Sequence, residues 1–354
     1  MSADTSRQQE RRSRGRGCTV GLAVGDAFGA PVEFMTRDEI LAAFPPNGIG
    51  GLQPWRRFAA GSYTDDTQMS IATARGIQDW RAATGWRAPK AGASRAGSDG
   101  DGARTPDLGA LRLAIWERYL EWHRSSDWVD RAPGDTCMAA LSAGSPGGAR
   151  DVSRNGSKGC GGVMRVAPLG LIGLGAAAFA AGVDTAALTH GAVTSDTSSG
   201  FQALLIDRLV GGLALDDAVS QARAVLAAYP GAVHSLAAVD AAVTLAASSE
   251  EPYGAIGRIG SSGREAPGER GKGWVADEAL GIGLFAALRY RDDVRGAFAA
   301  AANISGDSDS TASIAGAILG AWLGLEAIPP DWVAQLENRE MLLGLADELL
   351  DGAV

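Results

Sequence analysis

Apolar positions recur with a helical period along most of the chain. In "LRLAIWERYLEW", Leu111, Ile115, Tyr119 and Trp122 fall on one face. The runs "TQMSIATARGIQDW", "FQALLIDRLVGGLA", "DDAVSQARAVLAAY" and "ENREMLLGLADELL" repeat that spacing. No alternating β-branched pattern persists, so the expected fold is all-α. Val166–Val183 is apolar throughout, but its alanines and glycines suit a packed interior helix better than a lipid span.

Polar interruptions bound the elements. Residues 82–106 and 250–273 are rich in Gly and Ser and predict surface loops. Residues 1–13 are polar and Arg-rich and predict a disordered tail, leaving 14–354 as one domain. No internal repeat stands out.

Two glycine stripes cross this pattern. Gly21, Gly25 and Gly29 recur every four residues in "GLAVGDAFG", as do Gly316, Gly320 and Gly324 in "AGAILGAWLG". Each helical Gly costs roughly 1 kcal/mol against Ala, so such stripes reflect either composition alone or two backbones in close approach. Close approach would bring Asp26 near Asp307 and Asp309.

Composition narrows the function classes. With 354 residues, 46% hydrophobic content and only 6% aromatics, small apolar side chains must do most of the packing. Net charge of −9 argues against a nucleic-acid surface, which needs a basic stripe. It leaves room for a small anionic ligand if some local group supplies positive charge. Cys18, Cys137 and Cys160 make an odd count without metal or redox spacing, which fits a reducing compartment. No secretion signal core follows the basic start, so a cytoplasmic protein without membrane contact is expected.

The candidate chemistry lies in two short acidic segments. "YTDDTQ" places Thr64, Asp65 and Asp66 at a helix start, and "SGDSDST" does the same with Asp307, Asp309 and Ser310. A single aspartate there is accounted for as an N-cap. A second repels the first, so adjacent pairs ask for another explanation. If the two tips meet, the crowded oxygens require cations, and hard ligands without His or Cys select Mg²⁺, Mn²⁺ or Ca²⁺. Four carboxylates also suit two metals about 3.5–4 Å apart. Asp26 and Glu33 stand seven residues apart, which on a continuous helix is one face. "DSDST" also fits the DxDx[TV] nucleophile loop of haloacid-dehalogenase-like phosphatases, but that loop should follow a buried strand near the start of a parallel α/β domain.

"NGSKGCGGVMRVAPLG" (155–170) carries five glycines, four of them before its apolar end, which suits either a backbone cradle for phosphate or a plain turn. His190, in "LTHG", is one of three histidines and alone reads as structural.

Together these motifs resemble the ADP-ribosylglycohydrolase family, of the dinitrogenase-reductase-activating glycohydrolase and ADP-ribosyl-acceptor hydrolase type. "GLAVGDAFGAPVEF", "YTDDTQM", "RAPGDTC", "SKGCGGVMRVAPLG", "LTHG", "GKGWVADEAL" and "SGDSDSTASIAGAILGA" stand in family order across nearly the whole chain. The resemblance implies a compact single-domain orthogonal helical bundle with a binuclear Mg²⁺ or Mn²⁺ centre at the foot of an ADP-ribose cleft. Thr64, Asp65, Asp66, Asp307, Asp309 and Ser310 would ligate the metals. Glu33 matches a mobile acidic residue beside them and would transfer protons, with Asp66 or Asp309 orienting water. Asp26, Gly134, the loop Ser157, Gly159, Cys160, Gly161, Gly162, Val163 and Met164, and His190 would face the substrate.

The implied activity is hydrolysis of the glycosidic bond between ADP-ribose and an acceptor, foremost arginine on a modified protein, by a monomer. Serine, nucleic-acid and small-ester linkages, or a non-catalytic ADP-ribose reader, are the alternatives. Ser310 stands for the family's usual threonine, Ser305-Gly306 for Gly-Gly, and Asp135 for a frequent asparagine. "THGAVTS" also lacks residues that often follow the histidine. The last two departures bear on substrate choice.

Overall fold

The computed structural model describes residues 3–88, 105–144, 155–260 and 271–351. The central part of the expected 82–106 loop and residues 261–270 of the second loop lie outside these. The described residues form fifteen α-helices and no strand, in agreement with the all-α expectation. In chain order they begin with α1 (Ala3–Gly29), α2 (Arg37–Ala43), α3 (Asp65–Thr84), α4 (Leu108–Ser125) and α5 (Asp135–Ala143). Then come α6 (Ala177–Ala186), α7 (Val193–Val210), α8 (Leu215–Ala227), α9 (Val233–Ala246) and α10 (Pro252–Ile256). The last are α11 (Ala276–Arg289), α12 (Val294–Ala302), α13 (Ser308–Leu323), α14 (Pro330–Gln335) and α15 (Arg339–Asp351).

The periodic segments became helices with the expected faces inward. On α4, Leu111, Ile115, Tyr119 and Trp122 are buried, joined by Trp116 and Leu120. Helices α7, α11 and α13 are buried on nearly every side, and α7 accordingly shows almost no amphipathic contrast.

The most extensive packing is between α1 and α13. A Cβ on Gly17 would collide with the Gly320 carbonyl, on Gly21 with Gly316, on Gly25 with Ala312 and on Gly29 with Ser308. As one number rises by four the other falls by four, so the helices are antiparallel, backbone on backbone. Gly324 continues the register, lying against Ser13 of α1, and it ends α13 at φ 91°.

Three expectations need correction. The tail expected to be disordered is helical from Ala3, as the first three turns of α1. Arg12 and Arg16, one turn apart, both hold Asp347 of α15 at 2.6 Å. Val166–Val183 is not one helix: Cys160–Arg165 and Ala167–Leu171 are 3-10 turns, and α6 starts only at Ala177. Pro168 and left-handed Gly173 and Gly175 break the run. Asp26 and Glu33 share no helix face, because α1 stops at Gly29 and Glu33 sits in the turn beyond it.

The α1–α13 contact predicts opposite effects for two glycines. Gly316→Ala, meeting the backbone of α1, should cost about 1–3 kcal/mol of unfolding free energy. Gly344→Ala, on α15 with nothing within 4 Å of the new carbon, should raise stability by about 0.5–1 kcal/mol. Urea denaturation of both variants reads this directly; equal effects would contradict it.

Candidate active site

The register of α1 on α13 builds the site. Gly29 lies against Ser308 and Asp309, so the chain leaving α1 turns over the first residues of α13. The Phe34 N–H donates to the Gly306 carbonyl at 3.1 Å and fastens this turn. Glu33 thereby joins Asp307 and Asp309, with one oxygen of each within 4.8 Å of the others.

Helix α3 arrives at the same place, held by Asp26. Its Oδ1 accepts the Thr64 N–H at 2.8 Å, and its Oδ2 accepts the Thr67 N–H at 2.9 Å and hydroxyl at 2.6 Å. This carboxylate from α1 satisfies free N–H groups at the start of α3, the work of a cap delivered from another helix. Asp26 is fully buried behind the site and does not face the cleft. The Thr64 side chain accepts the Asp66 N–H and bonds Asp309. Ser310 Oγ donates to Asp66 Oδ2 at 2.9 Å. The two acidic helix tips do meet.

Crowding and burial act together on these carboxyls. Burial, followed by the charges of Asp309, Asp307 and Asp65, pushes Glu33 up to about 12, with Arg56 opposing. Burial and Asp309 also hold Asp65, Asp66 and Asp307 well above the usual carboxylate range. Asp26, buried and near Asp309, rises to about 7 despite its three donors. Ionised together these groups would repel strongly in a dry site, and protonation or a bound cation would relieve that. The donors are carboxylates and hydroxyls without an imidazole among them, and they fit a hard divalent cation. One sulfur lies close: the Cys160 thiol donates to Asp307 Oδ2 at 2.7 Å.

These residues floor a cavity of about 350 Å³. Gly134, at the cap of α5, and Asp135, Thr136 and Cys137 line one wall; Gly159, Cys160, Gly161, Met164 and His190 line another. The glycine-rich loop is pinned from both sides. Asn155 Nδ2 donates to the Thr189 carbonyl at 2.8 Å, and its Oδ1 accepts the Gly191 N–H at 3.1 Å. The Cys160 N–H donates to the Trp274 carbonyl at 3.2 Å, and the Ala276 N–H to that of Lys158 at 2.8 Å. Burial, and secondly Arg165, lower His190 to about 3, so its ring is neutral.

Some expected residues stand back from the cleft. Ser157 braces its own loop, bonding Thr136 Oγ1 at 3.2 Å and accepting the Gly159 N–H. Gly162 and Val163 are buried, and a Cβ on Gly162 would press on Ser195 and Ser199 of α7. The sequence reading missed Phe34 and Trp274, which stack at the rim with centroids 5.3 Å apart and planes 24° from parallel. Both lay inside quoted motifs, but nothing in a linear pattern pairs positions 34 and 274. The phosphatase alternative fails, since α12 rather than a strand precedes Asp307.

A second cavity, about 420 Å³, opens between α3, α4 and residues 337–341. Two of its arginines are internally paired, Arg131 with Glu337 and Arg118 with Asp79 and Glu121. It holds no comparable carboxylate cluster.

Comparison with known proteins agrees with this geometry. The chain is 26% identical to the ADP-ribosylarginine hydrolase Tri1 of Serratia proteamaculans over 97% of its own length and 80% of that protein's. It is 26% identical to the ADP-ribosyl-[dinitrogen reductase] glycohydrolase of Rhodospirillum rubrum, covering 92% and 91% of the two chains. The same identity relates it to the ADP-ribosylhydrolase ARH3 of Bos taurus, over 95% and 92%. A solved ADP-ribosylglycohydrolase-related protein complex shares the fold with a TM-score of 0.68 at 24% identity, covering 98% of this chain and all of that one. No helix of the described residues is long and apolar enough to cross a membrane. The ADP-ribosylglycohydrolase family model matches residues 7–354, and the chain belongs to that family.

Proposed function

We propose that this hydrolase cleaves the bond between the anomeric carbon of ADP-ribose and arginine on a modified protein, with two divalent cations, Mg²⁺ or Mn²⁺. The observation that carries the reading is the meeting of two acidic helix tips, with Glu33 closing over them, at the floor of a cleft walled by a glycine-rich loop. Thr64, Asp65, Asp66, Asp307, Asp309 and Ser310 would hold the metals. Such ions, when bound, offset the acidity of the floor, orient ribose hydroxyls and lower the pKa of water.

The chain's own groups account for the remaining chemistry. Departure of the acceptor leaves positive charge at the anomeric carbon, which nearby carboxylates stabilise. Glu33 is the group assigned to proton transfer, with Asp66 or Asp309 orienting water. Asp26 keeps the Asp65–Asp66 turn in place from behind. On the opposite wall, the His190 ring offers a neutral donor to the diphosphate.

Arginine as the acceptor is supported by Phe34 and Trp274. Phe34 directly follows Glu33, is 61% exposed and holds φ 71°, and it stacks with Trp274 where the acceptor would leave. A flat, weakly hydrated guanidinium stacks well on such faces, whereas a serine linkage gains little there.

Release of ADP-ribose from arginine-ADP-ribosylated protein is therefore expected with Mg²⁺ or Mn²⁺ and lost in EDTA. Asp65→Asn and Asp309→Asn should each lower kcat/KM by about a hundredfold or more, as expected for removal of a ligand from a shared centre. Binding of ADP-ribose without release would support a non-catalytic reader or another linkage instead. Trp274→Ala should raise KM for the arginine-linked substrate about 3- to 30-fold, with little change in affinity for free ADP-ribose. Equal loss for both ligands would contradict the arginine assignment.

A further inference from the structure

The cleft poses an electrostatic problem that its lining does not solve. Its floor is acidic and the chain carries a net charge of −9, yet no Lys or Arg lines the described cavity. A diphosphate lying along the glycine-rich wall needs positive potential on that side too.

One cation is hidden behind the wall. Arg165, in the 3-10 turn that ends the glycine-rich loop, is completely buried. Its Nη1 approaches Met69 Sδ and Cys137 Sγ, each at 3.5 Å. Its Nη2 donates to the Thr185 carbonyl at 3.3 Å and to Thr189 Oγ1 at 2.6 Å. Tyr119 lies 4.5 Å from the guanidinium, ring face toward it. None of these partners is a carboxylate, and Nε has no acceptor. A buried charge without a counterion is costly, so its retention calls for a reason beyond packing.

Hydrogen bonding leads from this cation back to the cleft. A guanidinium can only donate, so Thr189 Oγ1 accepts from Arg165 and has its own hydrogen left to give. His190 Nδ1 stands 2.8 Å away. Cys137 Sγ, also within reach of that hydroxyl, is a weaker acceptor than an imidazole nitrogen. In the arrangement that gives the Thr189 hydrogen its stronger acceptor, Nδ1 accepts and the neutral ring carries its hydrogen on Nε2. That nitrogen lies at the wall, 3.0 Å from where a Cβ of Gly159 would stand and 3.3 Å from one on Gly161.

We propose that Arg165 and Thr189 are positioning residues that fix His190 as an Nε2–H donor toward the anionic diphosphate of the ligand, giving an acidic protein its positive wall. The chain Arg165–Thr189–His190 extends the cation's polarisation to the cavity without exposing a charge that would pair with the acidic floor. This rests on the reading of the ligand as an ADP-ribose conjugate.

The test is ¹⁵N-edited NMR of the histidine rings in the whole protein, with ADP-ribose as the probe. Before any ligand is added, His190 should show a protonated Nε2 and an unprotonated Nδ1 near neutral pH, and ADP-ribose should shift the Nε2 resonance. Thr189→Val should lose the tautomer preference and weaken ADP-ribose binding about tenfold, or roughly 1.4 kcal/mol. Thr189→Ser, which keeps the hydroxyl, should restore both. An Nδ1–H tautomer or an imidazolium in the ligand-free wild type overturns the relay whether or not Thr189→Val folds. So does Thr189→Val with unchanged tautomer and affinity. If ADP-ribose fails to bind the wild type while the Nε2–H tautomer is present, the ADP-ribose reading fails and the diphosphate assignment falls with it. Binding that leaves Nε2 unshifted overturns the donor role alone.

Discussion

Four contacts between α1 and α13, from Gly17 against Gly320 to Gly29 against Ser308, set the geometry on which the candidate site depends. With no side chain between them, the backbones approach as closely as carbonyl oxygens allow, and a slip by one residue would drive a Cβ into one of them. Register is therefore specified, and it brings the last turn of α1 over the first turn of α13. Asp26 then reaches the start of α3, and Glu33 falls beside Asp307 and Asp309. One packing contact thus locates three carboxylate-bearing segments.

What those segments form is unstable by itself. Helix N-termini favour negative charge, but by about a kcal/mol each at an exposed end, far too little to offset several buried carboxylates facing one another. Burial and mutual repulsion push Glu33, Asp65, Asp66 and Asp307 upward, and divalent cations are the natural complement. The opposite wall meets the reverse problem, an anionic ligand in a cavity that no Lys or Arg lines. A neutral donor backed by a buried guanidinium addresses it without closing an ion pair across the cleft.

Much of this was legible in the sequence because it is local. Helical periodicity exposed α3, α4, α7, α8 and α15, and the acidic pairs marked two helix starts. The glycine stripes were consistent with a close approach, and equally with composition alone. What could not be read depends on register between distant elements. Asp26 looks like a cleft residue until α3 is docked on it, and Glu33 looks helical until the turn after Gly29 is seen. The Arg-rich start looks disordered because its stabilising partner, Asp347, lies at the other end of the chain. Arg165 is passed over because a charged side chain in an apolar run suggests exposure, and only the three-dimensional packing reveals its burial. The break in Val166–Val183 was spelled out by Pro168, Gly173 and Gly175, but the apolar run outweighed them.

The central claim, that the two acidic helix tips form one cation centre, is tested most directly by anomalous diffraction from crystals soaked in Mn²⁺. The account predicts two manganese peaks, together contacting Asp65 and Asp66 from α3 and Asp307 and Asp309 from α13. Crystals that take up manganese elsewhere, or bind it at only one helix tip with the other uninvolved, would contradict it.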